Sequence, residues 1–279
     1  MKKELKIIKT TINIGIDKPI KLLHITDTHI TRDDPTGWNR REVFDLDYDG
    51  CSEDYFFQAI EYAEKNNMTV LHTGDIIDFF SEGNFDFIDK YFKNVDYIYA
   101  AGNHDFCHFL GKAKEDYDYK WEKIKEIAPH IKNNLYFDSK VIDGVNIVTM
   151  DDSYYFITEG QIELLKAEAA KGYPIILAMH VPLFSPCHAK VKMEVGNPCA
   201  YLVAAPSELL LKYPEDRRVQ QTPDNATLKA VEYIKSEPLI KAVVAGHNHL
   251  NFEEKLSKNL WQYTTHGSFA GYVREITIL

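Results

Sequence analysis

Five short groups of residues, in a fixed order, carry side chains able to bind metal ions. They are Asp27-Thr28-His29, Gly74-Asp75-Ile76-Ile77-Asp78, Gly102-Asn103-His104-Asp105, the lone His180, and Gly246-His247-Asn248-His249. Asp27 and His29 are two residues apart at a strand end, so a carboxylate oxygen and an imidazole nitrogen face the same way. Asp75 has two oxygens and is able to bridge two ions. Asn103 adds a neutral carbonyl oxygen and His180 a ring nitrogen, a pair suited to the second ion. His247 and His249 are again two apart and reach one ion each. The expected site holds two divalent cations (Mn, Fe or Zn, which such mixed ligands suit about equally) roughly 3.5–4 Å apart, sharing a carboxylate and a water.

Residues scattered from 27 to 249 need a scaffold to meet. Each group directly follows an apolar, β-branched run: 20–25, 68–71, 97–100, 175–179 and 240–245. Short runs of this kind, separated by helical patterns, read as buried strands of an α/β fold. Ligands in such folds bind outside the carboxyl ends of the strands. Helices are expected at 53–66, with Ser52 as cap, and near 84–93, 113–127, 159–171 (Thr158 as cap) and 224–236. Residues 5–16 alternate like an edge strand, and 145–150 reads as a further strand ending in Asp151-Asp152. The tail offers strands at 261–265 and 272–279 that could pair with the first. Residues 31–50 read as a long loop on the ligand side. The stretch 182–223, with six prolines and two cysteines, reads as loop apart from 207–212. It follows His180 directly and is expected to cap the site as a lid or recognition insertion.

The 279 residues suit one domain spanning 1–279, with 45% hydrophobic and 27% charged residues and no biased tract. The N-terminus lacks a signal-peptide core, and no run approaches the ~18 apolar residues of a membrane helix, so a soluble, cytoplasmic protein is expected. Cys51, Cys107, Cys187 and Cys199 form no CxxC pair and read as reduced thiols, although Cys187 and Cys199 share a segment and could bridge or bind metal. A net charge of −10 repels long polyanions, and no Lys/Arg cluster offsets it. Nucleic acid is therefore disfavoured as a partner, and small substrates are favoured.

The five groups resemble the signature of the calcineurin-like metallophosphoesterases: D-x-H, G-D-x-x-D, G-N-H-D, H and G-H-x-H. The resemblance implies an α/β four-layer sandwich, two mixed β-sheets flanked by helices, with a dinuclear metal site at the strand C-terminal ends. It assigns Asp27, His29, Asp75 and His249 to one metal, and Asp75, Asn103, His180 and His247 to the other. His104 matches the histidine that acts as general acid toward the leaving oxygen, and Asp78 matches its orienting partner. The implied activity is that of a hydrolase, a phosphatase or phosphodiesterase acting on a small phosphorylated mono- or diester by in-line attack of a metal-bridging hydroxide. The chemistry agrees, because two divalent ions outweigh the charge of Asp27 and Asp75 and draw in a phosphate. Purple acid phosphatases carry a tyrosine where this chain has Asp78, so their charge-transfer colour is not expected. The alternatives are a nuclease-type phosphodiesterase and a non-catalytic metal-binding scaffold of the same fold.

Other polar residues carry plainer expectations. His24 and His72 lie inside apolar strands and read as buried, hydrogen-bonded histidines. His266 follows a late strand and could approach the site; His108, His130 and His188 have no marking spacing. Asp151 and Asp152 could support the ligands from behind, but read by default as turn carboxylates. Arg32, Arg40 and Arg41 could contact substrate phosphate, and Arg217 and Arg218 could meet a second anionic group.

Overall fold

Alternation along the strands decides which residues face which layer. In Ile20–Ile25, Leu22 points one way while Leu23 and Ile25 point the other; in Ile175–Ala178, Ile176 and Ala178 oppose Ile175 and Leu177. A strand buried on both faces must sit between two packed layers. The computed structural model describes residues 4–34, 37, 39–46, 52–107 and 117–279. Cys51, His108 and the start of the helix expected at 113–127 lie outside the described residues.

In chain order the elements are β1 (Lys6–Ile12), β2 (Ile20–Ile25), α1 (Arg40–Leu46), α2 (Ser52–Lys65), β3 (Thr69–His72), α3 (Glu82–Lys90), β4 (Tyr97–Tyr99) and α4 (Tyr117–Ile127). Then come β5 (Phe137–Ile142), β6 (Val145–Met150), α5 (Glu159–Ala169), β7 (Ile175–Ala178), α6 (Pro186–Glu194), α7 (Ser207–Leu210), α8 (Glu215–Gln221) and α9 (Asn225–Ser236). The chain ends with β8 (Ile240–Ala245), β9 (Phe252–Lys255), β10 (Trp261–Thr264) and β11 (Tyr272–Ile278). Among the described residues the strands form a five-stranded sheet, β1-β11-β2-β3-β4, and a six-stranded sheet, β5-β6-β7-β8-β10-β9. Both are mixed. β2, β3 and β4 run parallel in the first, β6, β7, β8 and β10 in the second, and each sheet has one or more antiparallel neighbours.

The inner faces meet in one apolar cluster, with Ile12, Leu22, Leu71 and Ile276 from the first sheet against Ile147, Ile176, Ala178 and Val244 from the second. The outer faces are covered by helices. Phe56, Ala59 and Ala63 of α2 and Phe87 and Ile88 of α3 pack on the first sheet, while Ile162 and Leu165 of α5 and Ala230, Val231 and Ile234 of α9 pack on the second. Their buried residues recur at helical spacing, as an amphipathic surface helix requires. Thr158 caps α5 in a reciprocal box with Gln161, and Asp224 caps α9. The expected four-layer α/β sandwich is the observed fold.

Several local expectations change. The loop at 31–50 contains α1. Strands β5 and β9 add to the expected set. The segment 261–265 does not pair with β1: β10 lies parallel to β8 in the second sheet, where Tyr263 reaches the inter-sheet core, and only β11 joins β1. Residues 182–223 hold three helices rather than one. Ser185 caps α6 by accepting from His188 N–H, with Pro186 in the first turn where its missing N–H costs nothing. Cys199, Leu202, Leu210 and Tyr213 bury one another in a small core of this segment. Cys187 and Cys199, the two that share a segment, do not bridge. No helix among the described residues is long and apolar enough to cross a membrane.

Ile276, fully buried at the centre of the inter-sheet cluster, should tolerate truncation poorly. Ile276→Ala is expected to cost about 2–5 kcal/mol in urea denaturation, and Val195→Ala, on the exposed rim of α6, less than about 0.5 kcal/mol.

Candidate metal centre

Hydrogen bonding continues past the strand ends, and this brings the five groups together. Asp27 N–H donates to Gly74 O at 2.9 Å, His29 N–H to Asp75 O at 2.9 Å, and Gly246 N–H to His180 O at 3.0 Å. The two sheets are joined where His180 Nδ1 donates to Thr73 O at 2.6 Å and His247 N–H donates to Asp27 Oδ2 at 2.9 Å. So close an approach leaves no room for side chains at two glycines. A methyl on Gly246 would collide with Thr26 Oγ1 and Asp27 Oδ2, and one on Gly102 with Asp75.

Five of the expected ligands have left-handed backbones: Asp27 (φ 49°), His29 (48°), Asp75 (56°), His247 (61°) and His249 (48°). Each such non-glycine residue costs about 1–2 kcal/mol relative to the right-handed conformation. The expected strand-like alternation of Asp27 and His29 is thus replaced by two sharp backbone reversals. Both side chains still turn inward.

All seven expected ligand residues converge. Asp75 Oδ2 lies 3.3 Å from His180 Nε2 and 3.7 Å from His29 Nε2. Around the first are Asn103 Oδ1 and His247 Nδ1, each 3.1 Å from His180 Nε2. Around the second is Asp27 Oδ1, 3.9 Å from His29 Nε2 and 3.2 Å from His249 Nε2. His180 gives its Nδ1 proton to Thr73, and His29 gives its own to Asp78, so each presents Nε2 inward. His29 Nε2 is buried between two carboxylates without a hydrogen-bond partner. A buried, unsatisfied nitrogen facing carboxylate oxygens fits a cation, and the donor set of oxygen and imidazole nitrogen suits a transition metal.

Electrostatics push the same way. Burial opposes charge on Asp75, yet His180 and His104 hold its carboxylate well below the ordinary range. Asp27 is likewise held down, against burial, by His249. Burial alone would lower His180 and His104, but Asp75 beside both raises each to about 10, with Asp78 adding to the effect on His104. Burial and the neighbouring His180 take His247 well below its usual value. The carboxylates therefore demand positive charge at their centre.

His104 lies at the rim, its backbone N–H on Asp75 Oδ1 at 2.8 Å and its Nδ1 on Asp78 O at 2.9 Å and Asp78 Oδ1 at 3.1 Å. Asp78 also accepts from His29 Nδ1 and takes a two-pronged bond from Arg40, Nε to Oδ2 at 2.7 Å and Nη2 to Oδ1 at 3.0 Å. Arg40 is thus engaged with protein, and so is Arg32, forked onto Glu53; Arg41 is exposed. His24 and His72 are buried and hydrogen-bonded, as expected. His266 stacks between Tyr272 and His249, with no bond to the expected ligands.

Four supports hold the expected ligands, and of these the sequence suggested only Asp152. Asp105 accepts from the N–H groups of Asp75, Ile76 and Gly102 and from the Tyr99 hydroxyl. Burial, reinforced by Asp75, pushes its carboxyl up to about 7. Asp152 is more than a turn carboxylate, since it accepts from His180 and Val181 N–H. Tyr155 bonds His247 Nε2 at 2.9 Å, which turns Nδ1 toward the centre, and Arg40 holds Asp78. The final aspartate of the third group was a signal for Asp105; Tyr155 had none.

The family model for the calcineurin-like phosphoesterases matches residues 20–251, and the chain belongs to that family. Among solved structures, a dimetal phosphatase from Danio rerio is similar with a TM-score of 0.49 at 16% identity, covering 90% of this chain and 88% of that one. A phosphopantetheinyl hydrolase from Mycobacterium tuberculosis gives 0.40 at 14%, covering 90% of each. A 5′-nucleotidase from Candida albicans gives 0.42 at 13%, covering 96% of this chain but 47% of that longer one. A search of curated proteins gives no significant match.

Asp105→Ala strips three buried N–H groups of their acceptor. It is expected to lower stability by about 3 kcal/mol or more, read as a shifted denaturation midpoint at unchanged slope.

Proposed function

We propose that this chain, folded as one domain, hydrolyses a small phosphorylated mono- or diester at two divalent cations held by Asp27, His29, Asp75, Asn103, His180, His247 and His249. The observation that carries the reading is the pair of donor groups meeting at Asp75 Oδ2, with the unsatisfied His29 Nε2 on one side and His180 Nε2 on the other. One set comprises Asp27, His29 and His249, the second Asn103, His180 and His247. When bound, the cations supply Lewis acidity at the phosphoryl oxygens and make water nucleophilic at neutral pH.

The chain's own residues do the rest. His104 gives its Nδ1 proton to Asp78, which leaves Nε2 to deliver a proton to the departing oxygen. Asp78, pinned by Arg40, fixes that imidazole and the His29 ring together. Residues 182–223 reach the turn between His247 and His249, where Lys192 Nζ donates to Asn248 O at 2.8 Å and Asn248 Nδ2 donates to His188 Nε2 at 3.1 Å. Placed there, the segment limits substrate size and disfavours polymers, in keeping with the net charge of −10.

Two measurements test this. Wild-type protein should carry about two metal ions per chain and hydrolyse aryl phosphates, and Asp75→Asn should lose most of both; a metal-free, inert wild type overturns the proposal. His104→Asn should keep its metal while turnover falls about 10²–10⁴-fold, with larger losses on alkyl than on aryl esters. Equal losses on the two would remove the general-acid role.

A further inference from the structure

The turn that carries His247 and His249 has little to hold it from within. Both residues have left-handed backbones, φ 61° and 48°, a conformation that is unfavourable for any residue with a side chain. The turn's own backbone closes one hydrogen bond, Asn248 N–H to Gly246 O at 2.6 Å. On the side of the expected cations, Asp27 accepts from His247 N–H and lies 3.2 Å from His249 Nε2. The other side of the turn is held by helix α6.

Lys192 Nζ donates to Asn248 O at 2.8 Å, and Asn248 Nδ2 donates to His188 Nε2 at 3.1 Å. His188 and Lys192 are four residues apart and so share one face of α6. Lys190, between them, points away, with its side chain 72% exposed. His188 is fully buried, and its Nδ1 lies 3.6 Å from Glu254 Oε1 of β9. With a proton on Nδ1 facing that carboxylate, Nε2 is left to accept from Asn248. Glu254 also accepts from Ser185, the residue that caps α6, and from Gln262 of β10 at 3.1 Å. The helix is thus anchored to the second sheet at its start and grips Asn248 with its inner face. A segment that only limited substrate size could rest on the turn through apolar contact. A buried imidazole and a nearly buried ammonium are unfavourable unless bonded, and both are bonded to the single residue between two expected ligands.

We propose that His188 and Lys192 are positioning residues for the metal centre: they brace the His247–His249 turn in its left-handed form, so that affinity for the cations depends on α6 of the 182–223 segment. The inference rests on the two-cation reading of the site. It makes the segment a structural part of the metal centre as well as a cover over it. Without the brace the turn relaxes and both imidazoles leave their aim, and the loss of outer contacts of this kind typically lowers metal affinity about 10–100-fold.

Calorimetric titration of Mn²⁺ into the chelator-stripped full chain tests this. Lys192→Met and His188→Leu are each expected to weaken binding about tenfold or more, while Lys190→Met, on the exposed face of the same helix, binds as the wild type does. His188→Gln keeps an oxygen able to accept from Asn248 and should recover most of the affinity lost in His188→Leu. Asn248→Ala cuts the same contact from the turn's side and leaves α6 untouched, so it serves where an α6 variant does not fold. Its loss should match that of His188→Leu, and the double variant should lose no more than either. Urea midpoints without metal are read on the same samples. Folded variants with lowered midpoints but the Mn²⁺ affinity of the wild type overturn the positioning role, as does a His188→Gln that binds no better than His188→Leu. A wild type that binds neither Mn²⁺ nor Zn²⁺ overturns the two-cation reading, and the brace with it.

Discussion

Where the two sheets meet, His180 of the second donates to Thr73 of the first at 2.6 Å, and His247 N–H of the second reaches Asp27 Oδ2 of the first at 2.9 Å. Those two bonds set a distance that the rest of the molecule has to respect. Gly102 and Gly246 are fixed because any side chain would wedge the edges apart. The inter-sheet core supplies the pressure, since Leu22, Leu71 and Ile276 pack against Ile176, Ala178 and Val244 at a spacing that keeps the edges in register. An imidazole that bonds a carbonyl through one nitrogen has a defined direction for the other. The seam that closes the sandwich therefore also aims a donor atom.

Asp78 shows how few groups control the geometry. One carboxylate accepts from His29, from His104 and twice from Arg40. Phe44 stacks on the His29 ring at 4.8 Å, and the Arg40 guanidinium lies over Phe44 at 4.9 Å. The first turn after α1 begins is thus coupled to an expected metal ligand and to the expected acid through a single side chain. In the proposed mechanism, a change at Asp78 would be felt in metal loading and in proton transfer together, and kinetics alone would not separate them.

The strands that carry the site were legible because they are buried on both faces and so rich in β-branched residues. The fold class followed from the order of those strands and from the family resemblance. β5 and β9 were hidden by their position: Phe137–Ile142 and Phe252–Lys255 are the edge strands of the second sheet, short and rich in polar residues, and neither is an apolar run. The helices of 182–223 escaped because prolines at 186, 206 and 214 resemble loop markers, although each stands at a helix start where proline is tolerated. The expected ligands announced themselves by spacing. Their supports did not, for Tyr155 lies 92 residues from His247, and nothing local marks a tyrosine as the partner of a distant imidazole.

The left-handed backbone at Asp27, His29, Asp75, His247 and His249 has an effect on what the protein can become. Asp and His are among the few residues that tolerate this conformation at all, so the demands of the chain path and of ligand chemistry fall on the same residue types. This edge concentrates torsional strain and crowded acids, and in the proposed site a cation that bound only the folded chain would relieve the charge and shift the folding equilibrium toward it. Glycine at Asp27 or His249 would relax the backbone while removing an expected ligand. Selection for thermal robustness alone would favour such glycines, at the cost of donors that the proposed site needs.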